Sequence, residues 1–178
     1  QTYIAQDDAD IKLLTRNEVV YDADTPADGN KGWFIDLSES GERVVVDAFN
    51  LEGLVFFNTM TPSSDDCKAG GTSFLMAVDQ KTGGTPNIVA FDIDNNNGKL
   101  DDDDGLYAGR RFAYGIASST TVLRTDNGYN YGYTSGTDNS AAGAANGGLG
   151  ISLDQAELPG SIPPVIGERQ SWIQLIND

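Results

Sequence analysis

Apolar residues along the chain gather into short runs: "GWFIDL" (32–37), "ERVVVDAF" (42–49), "GLVFFNTM" (53–60), "TSFLMAVD" (72–79) and "NIVAF" (87–91). Each is rich in Val, Ile or Phe, whose branched and aromatic side chains suit a pleated, half-buried surface. Between them stand "SESG", "NLEG", "TPSSDDCKAGG" and "QKTGGTP", where Gly, Pro, Ser, Asn and Asp favour turns. Runs of this length and spacing predict antiparallel meanders of short strands, as in sandwiches, barrels and propeller blades. Helical periodicity is thin. The best helical segment is "DADIKLLTR" (8–16), too short to define a layer. "TTVLRT" (120–125) and "YNYGYT" (129–134) continue the strand pattern. Alternation there puts Tyr129, Tyr131 and Tyr133 on one face, to cover a sheet or neighbouring blade, or to form a sugar or protein contact surface. The small, polar stretch 135–150 is expected to be a mobile loop, and the apolar residues of 161–176 a docked terminal segment.

Composition narrows the functional classes. A chain of 178 residues with 39% hydrophobic content has room for one domain with a sizeable core. Its 27 acidic against 11 basic residues give a formal charge of -16, which repels phosphate backbones and anionic headgroups. Nucleic acid and membrane insertion are therefore not expected, and no apolar run approaches the roughly 20 residues that cross a bilayer. The start lacks the basic-then-apolar pattern of a signal peptide, so if the protein is exported its signal lies upstream. The single Cys67 cannot form an internal disulfide, and there is no histidine. Zinc sites and Ser-His-Asp or Cys-His catalysis within the chain are excluded on that ground.

The candidate chemistry sits in "FDIDNNNGKLDDDDG" (91–105), where six aspartates and three asparagines surround a single lysine. Calcium takes about six to eight oxygen ligands, and short loops supply them from alternate positions. Asp92, Asp94 and Asn96 have that spacing. With Asp92 as position 1 of an EF-hand-like loop, Gly98 falls where a backbone carbonyl coordinates and Asp103 where the closing carboxylate sits; a tighter loop closes with Asp101 instead. Asn97 stands where glycine is usual, and asparagine visits left-handed geometry more readily than most residues. Bringing Asp92, Asp94, Asp101, Asp102, Asp103 and Asp104 together beside Lys99 alone forces like charges into contact, a cost that a divalent ion removes. Magnesium demands a tighter octahedral shell, so a flexible loop of oxygen ligands favours calcium, in a structural role; the alternative is a solvated acidic turn in a very acidic chain. The adjacent Arg110 and Arg111 are expected to neutralise this loop. Scattered acidic pairs such as Asp7 and Asp8 arise by chance in so acidic a chain, and no catalytic role is assigned to them.

The order "GWFIDL", "GERVV", "VFFNTMTPSSDDC", "GGTSFLMAVDQKTGG" and then "FDIDNNNGKLDD", with the closing "GERQSW", resembles the C-terminal region of the PilY family, the type IV pilus tip-associated adhesins and biogenesis factors. The resemblance runs from about residue 30 to 175. It implies antiparallel meander blades of a quinoprotein-like β-propeller with a calcium loop, placed at the pilus tip or cell surface after export through the periplasm. It further implies a non-enzymatic role in pilus assembly, in control of extension and retraction, and in attachment to a host or abiotic surface. The implied partners are the remainder of the adhesin, pilin and minor pilins. Residue by residue, the family's ligands fall on Asp92, Asp94 and Asn96, with Asp101 closing the loop. One extra residue in "DNNNG" leaves Asn96 and Asn97 competing for one position and Asp101 and Asp103 for another. Seven four-stranded blades need more than about 300 residues, so residues 1–178 are expected to form only the C-terminal portion of such a domain, with its cation loop at 92–104. Two alternatives are a quinoprotein-type propeller enzyme, since "LMAVDQKTGG" also resembles a blade motif of those dehydrogenases, and a structural filament or surface component.

Overall fold

The computed structural model describes residues 1–4, 8–20, 31–64, 70–93, 100–101, 103–123 and 130–137, together with the backbone of 124 and 151–156. Its strands are β1 (Tyr3–Ile4), β2 (Ile11–Leu14), β3 (Arg43–Val44), β4 (Phe49–Leu51), β5 (Leu54–Pro62), β6 (Gly71–Asp79), β7 (Gly109–Phe112), β8 (Thr121–Arg124), β9 (Asn130–Ser135) and β10 (Ile151–Ala156). All pairs are antiparallel, and the described residues contain no helix. The main sheet has the order β1-β2-β7-β6-β5-β3, with β4 also on β5, and a smaller sheet has the order β10-β9-β8. The main sheet curls into a half-barrel.

Burial of β6 explains why "FLMAV" is continuously apolar. Its six buried residues face both ways: Leu75 and Ala77 join Leu54, Ala90, Phe91 and Phe112 on one side. Phe74, Met76 and Val78 join Leu14 and Ala108 on the other. A strand covered on both faces loses the period-two alternation that marks a half-exposed one. Register carries the same division onto β5, where Phe56 lies opposite Ala77 and Phe57 opposite Met76.

The β4–β5 turn is Glu52-Gly53, with φ of 50° and 82°, and it joins the directly opposed Leu51 and Leu54. Two left-handed residues give the turn a twist that matches the strands, and Gly53 takes its half without strain. The run 42–49 is interrupted as a strand. Val44 pairs with Thr59 and Phe49 with Phe56, so residues 45–48 stand opposite only 57–58. The two extra residues make a wide bulge that bends this edge of the sheet.

Three sequence expectations need correction. Within 8–16 lies β2, not a helix, because Lys12 and Leu14 are buried on one face while Ile11 and Leu13 are half-buried. The runs 32–37 and 87–91 enter no ladder among the described residues. Instead they pack as extended cover: Trp33 and Ile35 lie over the Phe74 side of the sheet, and Ala90 and Phe91 over the Leu75 side. Of the expected mobile loop, residues 135–137 are tied down, with Thr137 N–H donating to Ile116 O at 3.1 Å; residues 138–150, like 161–176 and Cys67, lie outside the described residues.

Two devices hold the cover in place. The Trp33 indole N–H donates to Gln80 O at 2.9 Å, and its ring lies over Gly83, where a Cβ would overlap it. Asp79 shapes that turn by accepting the N–H groups of Lys81 and Thr82 on Oδ1. On the same side of the sheet, Lys12 Nζ meets Glu42 Oε1 at 2.6 Å, with side-chain exposures of 6% and 0%, and lies 4.0 Å from the centre of the Phe74 ring. Burial pushes the Glu42 carboxyl upward, but hydrogen bonds from Lys12 and the Glu39 backbone N–H, with the Lys12 charge, outweigh it and hold it below its ordinary value. Burial, with Glu42 and Glu39 nearby, raises the Tyr3 phenol well above its own.

Candidate metal centre

The acidic loop leaves the sheet after an anchored approach. Arg16 donates from Nε to Thr85 O and from Nη2 to Pro86 O, and the Thr85 hydroxyl both receives Leu14 N–H and donates to Leu14 O. Phe91 then enters the core and Asp92 follows it, only 9% exposed. On the far side, Gly105 admits the Tyr107 ring, which a Cβ would overlap, and Tyr107 packs against the same core cluster as Phe91. Apolar anchoring at both ends thus brings residues 92 and 104 to one neck.

Asp104 closes that neck. Its Oδ1 accepts Ile93 N–H at 3.0 Å and its Oδ2 accepts Asp101 N–H at 3.2 Å. Asp104 N–H returns to Asp101 O at 3.1 Å, and Asp101 Oδ1 accepts Asp103 N–H at 3.1 Å. Residues 101, 103 and 104 are thus linked to one another and, through Asp104, clamped to residue 93. Asp104 is buried at 6% exposure, Asp101 is half-buried and Asp103 is exposed.

Of the sequence-predicted ligands, Asp92, Asp101 and Asp103 are thus placed at the neck, while Asp94, Asn96, Asn97 and Gly98 lie outside the described residues. Among the described residues, no group of three or more metal-ligating side chains converges. The donor chemistry nonetheless fits a hard cation: every candidate is a carboxylate, amide or carbonyl oxygen. Two buried carboxylates, Asp92 and Asp104, sit in one loop neck. Nothing in "DDDD" separates Asp104 from its three neighbours; only burial and its paired backbone donors single it out.

Arg110 and Arg111 divide between the two faces. Arg110 lies opposite Leu75 with its guanidinium 6.0 Å from the centre of Phe91, on the loop side. Arg111 lies opposite Phe74, and its side chain meets Asp10 at 2.9 Å and Glu39 at 3.8 Å. The expected joint neutralisation of the acidic loop therefore does not extend to Arg111, which braces the N-terminal strands instead. An apolar cleft of about 40 Å³ separates the two sheets, lined in part by Phe49, Phe56, Phe91 and Val122. It is a packing gap too small for a drug-sized ligand. No helix of the described residues is long and apolar enough to cross a membrane.

Comparison with known proteins adds to this geometry. The chain is 30% identical over 132 residues, 70% of its length, to the type IV pilus biogenesis factor PilY1 homolog of Xylella fastidiosa strain Temecula1. It is 28% identical over 93 residues, 47% of its length, to the type IV pilus biogenesis factor PilY1 of Pseudomonas aeruginosa strain UCBPP-PA14, and 25% identical over 87 residues to the PilY1 of strain PAO1. These matches cover only 8% to 10% of the relatives' own lengths. No protein-family model and no solved structure matches the chain.

Proposed function

We infer the function of this chain from its relationship to the PilY family of type IV pilus biogenesis factors: it is a non-enzymatic, calcium-stabilised module of a pilus-associated surface protein. Its work is to support pilus assembly, extension and retraction, and attachment, outside the cell and in contact with pilins and the remainder of the adhesin. The observation that carries the calcium part is the clasped neck, where Asp104 ties residue 93 to residue 101 and a buried Asp92 opens the loop. Asp92, Asp94, Asn96 or Asn97, the Gly98 carbonyl and Asp101 would hold the ion. Asp101 is preferred to Asp103 because it is half-buried beside the neck, whereas Asp103 is exposed. A bound calcium would supply charge compensation for the loop, fixing a long connection between the core and β7.

The propeller reading rests on the antiparallel meander β3/β4-β5-β6-β7, which β2 and β1 extend beyond β7 in the same sheet.

Calorimetric titration of calcium into the chelator-treated chain, with magnesium as control, tests this. Saturable binding that is lost in the Asp92→Ala, Asp94→Ala variant is the expected result. Absence of heat in a folded parent chain would remove calcium from the proposal. The pilus role has its own test. Chromosomal Asp92→Ala, Asp94→Ala in the full-length protein is expected to change surface piliation and twitching, and unchanged piliation and motility would detach the loop from pilus dynamics.

A further inference from the structure

The outer face of the small sheet has a chemistry that the pilus reading does not use. Thr121 lies opposite Tyr133 and Leu123 opposite Tyr131, so these four share one face. Thr120, Val122, Asn130 and Gly132 have the opposite parity and line the inter-sheet cleft. Tyr133 is 39% exposed and Leu123 52%. Beside them Ser118, Ser119, Thr121, Tyr133, Thr134 and Ser135 line a shallow depression of about 200 Å³. In a chain with 27 acidic and 11 basic residues, the described residues of this face and depression carry no charge.

The depression is also held in shape. Ser118 Oγ donates to Ser119 O at 3.1 Å and accepts from Ser135 Oγ at 2.8 Å and from Ser135 N–H at 3.2 Å. Ser118 N–H donates to Ser135 O at 2.8 Å, and the Thr120 and Thr134 hydroxyls meet at 2.7 Å beneath. A preformed wall lowers the ordering cost of a weak ligand.

We propose that this face binds a neutral saccharide, with one sugar ring seated in the depression, its C–H face on the Tyr133 ring and its hydroxyls on those of Ser119 and Thr121. An aromatic ring beside hydroxyl groups offers both halves of what a sugar presents, an apolar face and a polar rim. An anionic ligand is disfavoured by the charge of -16. A stable protein interface needs roughly 800 Å² per partner, more than the two large exposed side chains among the described residues of this face, Leu123 and Tyr133, provide.

The test is a two-dimensional amide NMR titration of the whole chain with methyl glycosides of glucose, galactose, mannose and N-acetylglucosamine in turn, and with sialic acid as the anionic control. At least one neutral glycoside is expected to shift the amides of 118–121 and 131–135 saturably in the millimolar range. Tyr133→Ala weakens that binding roughly tenfold, Tyr133→Phe keeps most of it, and Thr121→Ala, at an exposed position that leaves the fold intact, weakens it several-fold. Phe34→Ala, at an exposed aromatic elsewhere, leaves it unchanged. Chelator has no effect, which separates this result from that of the calcium loop. The proposal is overturned if no neutral glycoside shifts these amides, if the shifts survive both Tyr133→Ala and Thr121→Ala, or if sialic acid binds more tightly. It is equally overturned if purified pilin, rather than any sugar, perturbs this face.

Discussion

Lys12 and Glu42 show how much a single pair can decide when both partners leave water. Truncating Lys12 leaves the buried Glu42 carboxylate without its cation, and Lys12→Ala is expected to cost about 3–5 kcal/mol in urea unfolding. The double replacement Lys12→Met, Glu42→Leu should recover most of that loss, since a buried pair gives little net gain over apolar packing. Because the folded Glu42 carboxyl is held below its ordinary value of 4.5, its contribution is complete above that pH and lost as pH falls through the depressed value. Urea midpoints measured from pH 7 down to pH 3 should therefore decline less steeply in Glu42→Gln than in the parent; parallel curves would contradict this assignment. Asp104 is the second such residue. Asp104→Ala removes the acceptor of two backbone N–H groups and should destabilise the calcium-free chain by about 2 kcal/mol. Faster hydrogen exchange at the amides of Ile93 and Asp101 is the direct readout, and unchanged exchange there would mean the clasp is not formed.

Among the elements, the strongest constraint is the contact between the extended cover at 31–37 and the turn after β6. Gly83 has φ of 70° and stands against the Trp33 ring, so a side chain there meets both backbone strain and overlap. Gly83→Ala is expected to cost about 1–3 kcal/mol, and Trp33→Phe, which keeps a ring but loses the bond to Gln80 O, about 1 kcal/mol. Thermal unfolding of the two variants checks this. A Gly83→Ala protein as stable as its parent would show that the cover does not dock there. The β3/β4 edge shows a different solution to exposure. Its bulge at 45–48 interrupts a run of three valines, leaving Val44 and Val45 exposed on a bent edge that offers no long flat template for another strand.

At the scale of the molecule, the sheet is closed sequence-distantly: β2 pairs with β7, so the N-terminal strands and the segment beyond the acidic loop hold one another. Fixing the loop should therefore stabilise the whole sheet and not the loop alone. Calcium at about one hundred times its dissociation constant is expected to raise global stability by about 2.7 kcal/mol, with a matching rise in melting temperature that magnesium reproduces only weakly and Asp92→Ala abolishes. A calcium-bound chain that melts with the chelated one would uncouple the loop from the fold.

The sequence by itself determined the all-β class, the positions of β5, β6, β8 and β9, the acidic loop and the family relationship, because these rest on local signals: branched and aromatic runs, turn residues and an ordered series of motifs. It misassigned what depends on neighbours. Ile11–Leu14 is a strand because β7 lies beside it, and "GRRF" becomes β7 because β2 and β6 flank it, although neither segment carries a strong strand pattern. The runs 32–37 and 87–91 look like strands but find no ladder among the described residues, since their apolar side chains are used against sheet faces instead. Only the tertiary structure could select Asp104 from four consecutive aspartates, or send Arg110 and Arg111 to opposite faces. Identical side chains in a row are separated by burial and by which backbone donors come within reach, and both are set by contacts far away along the chain.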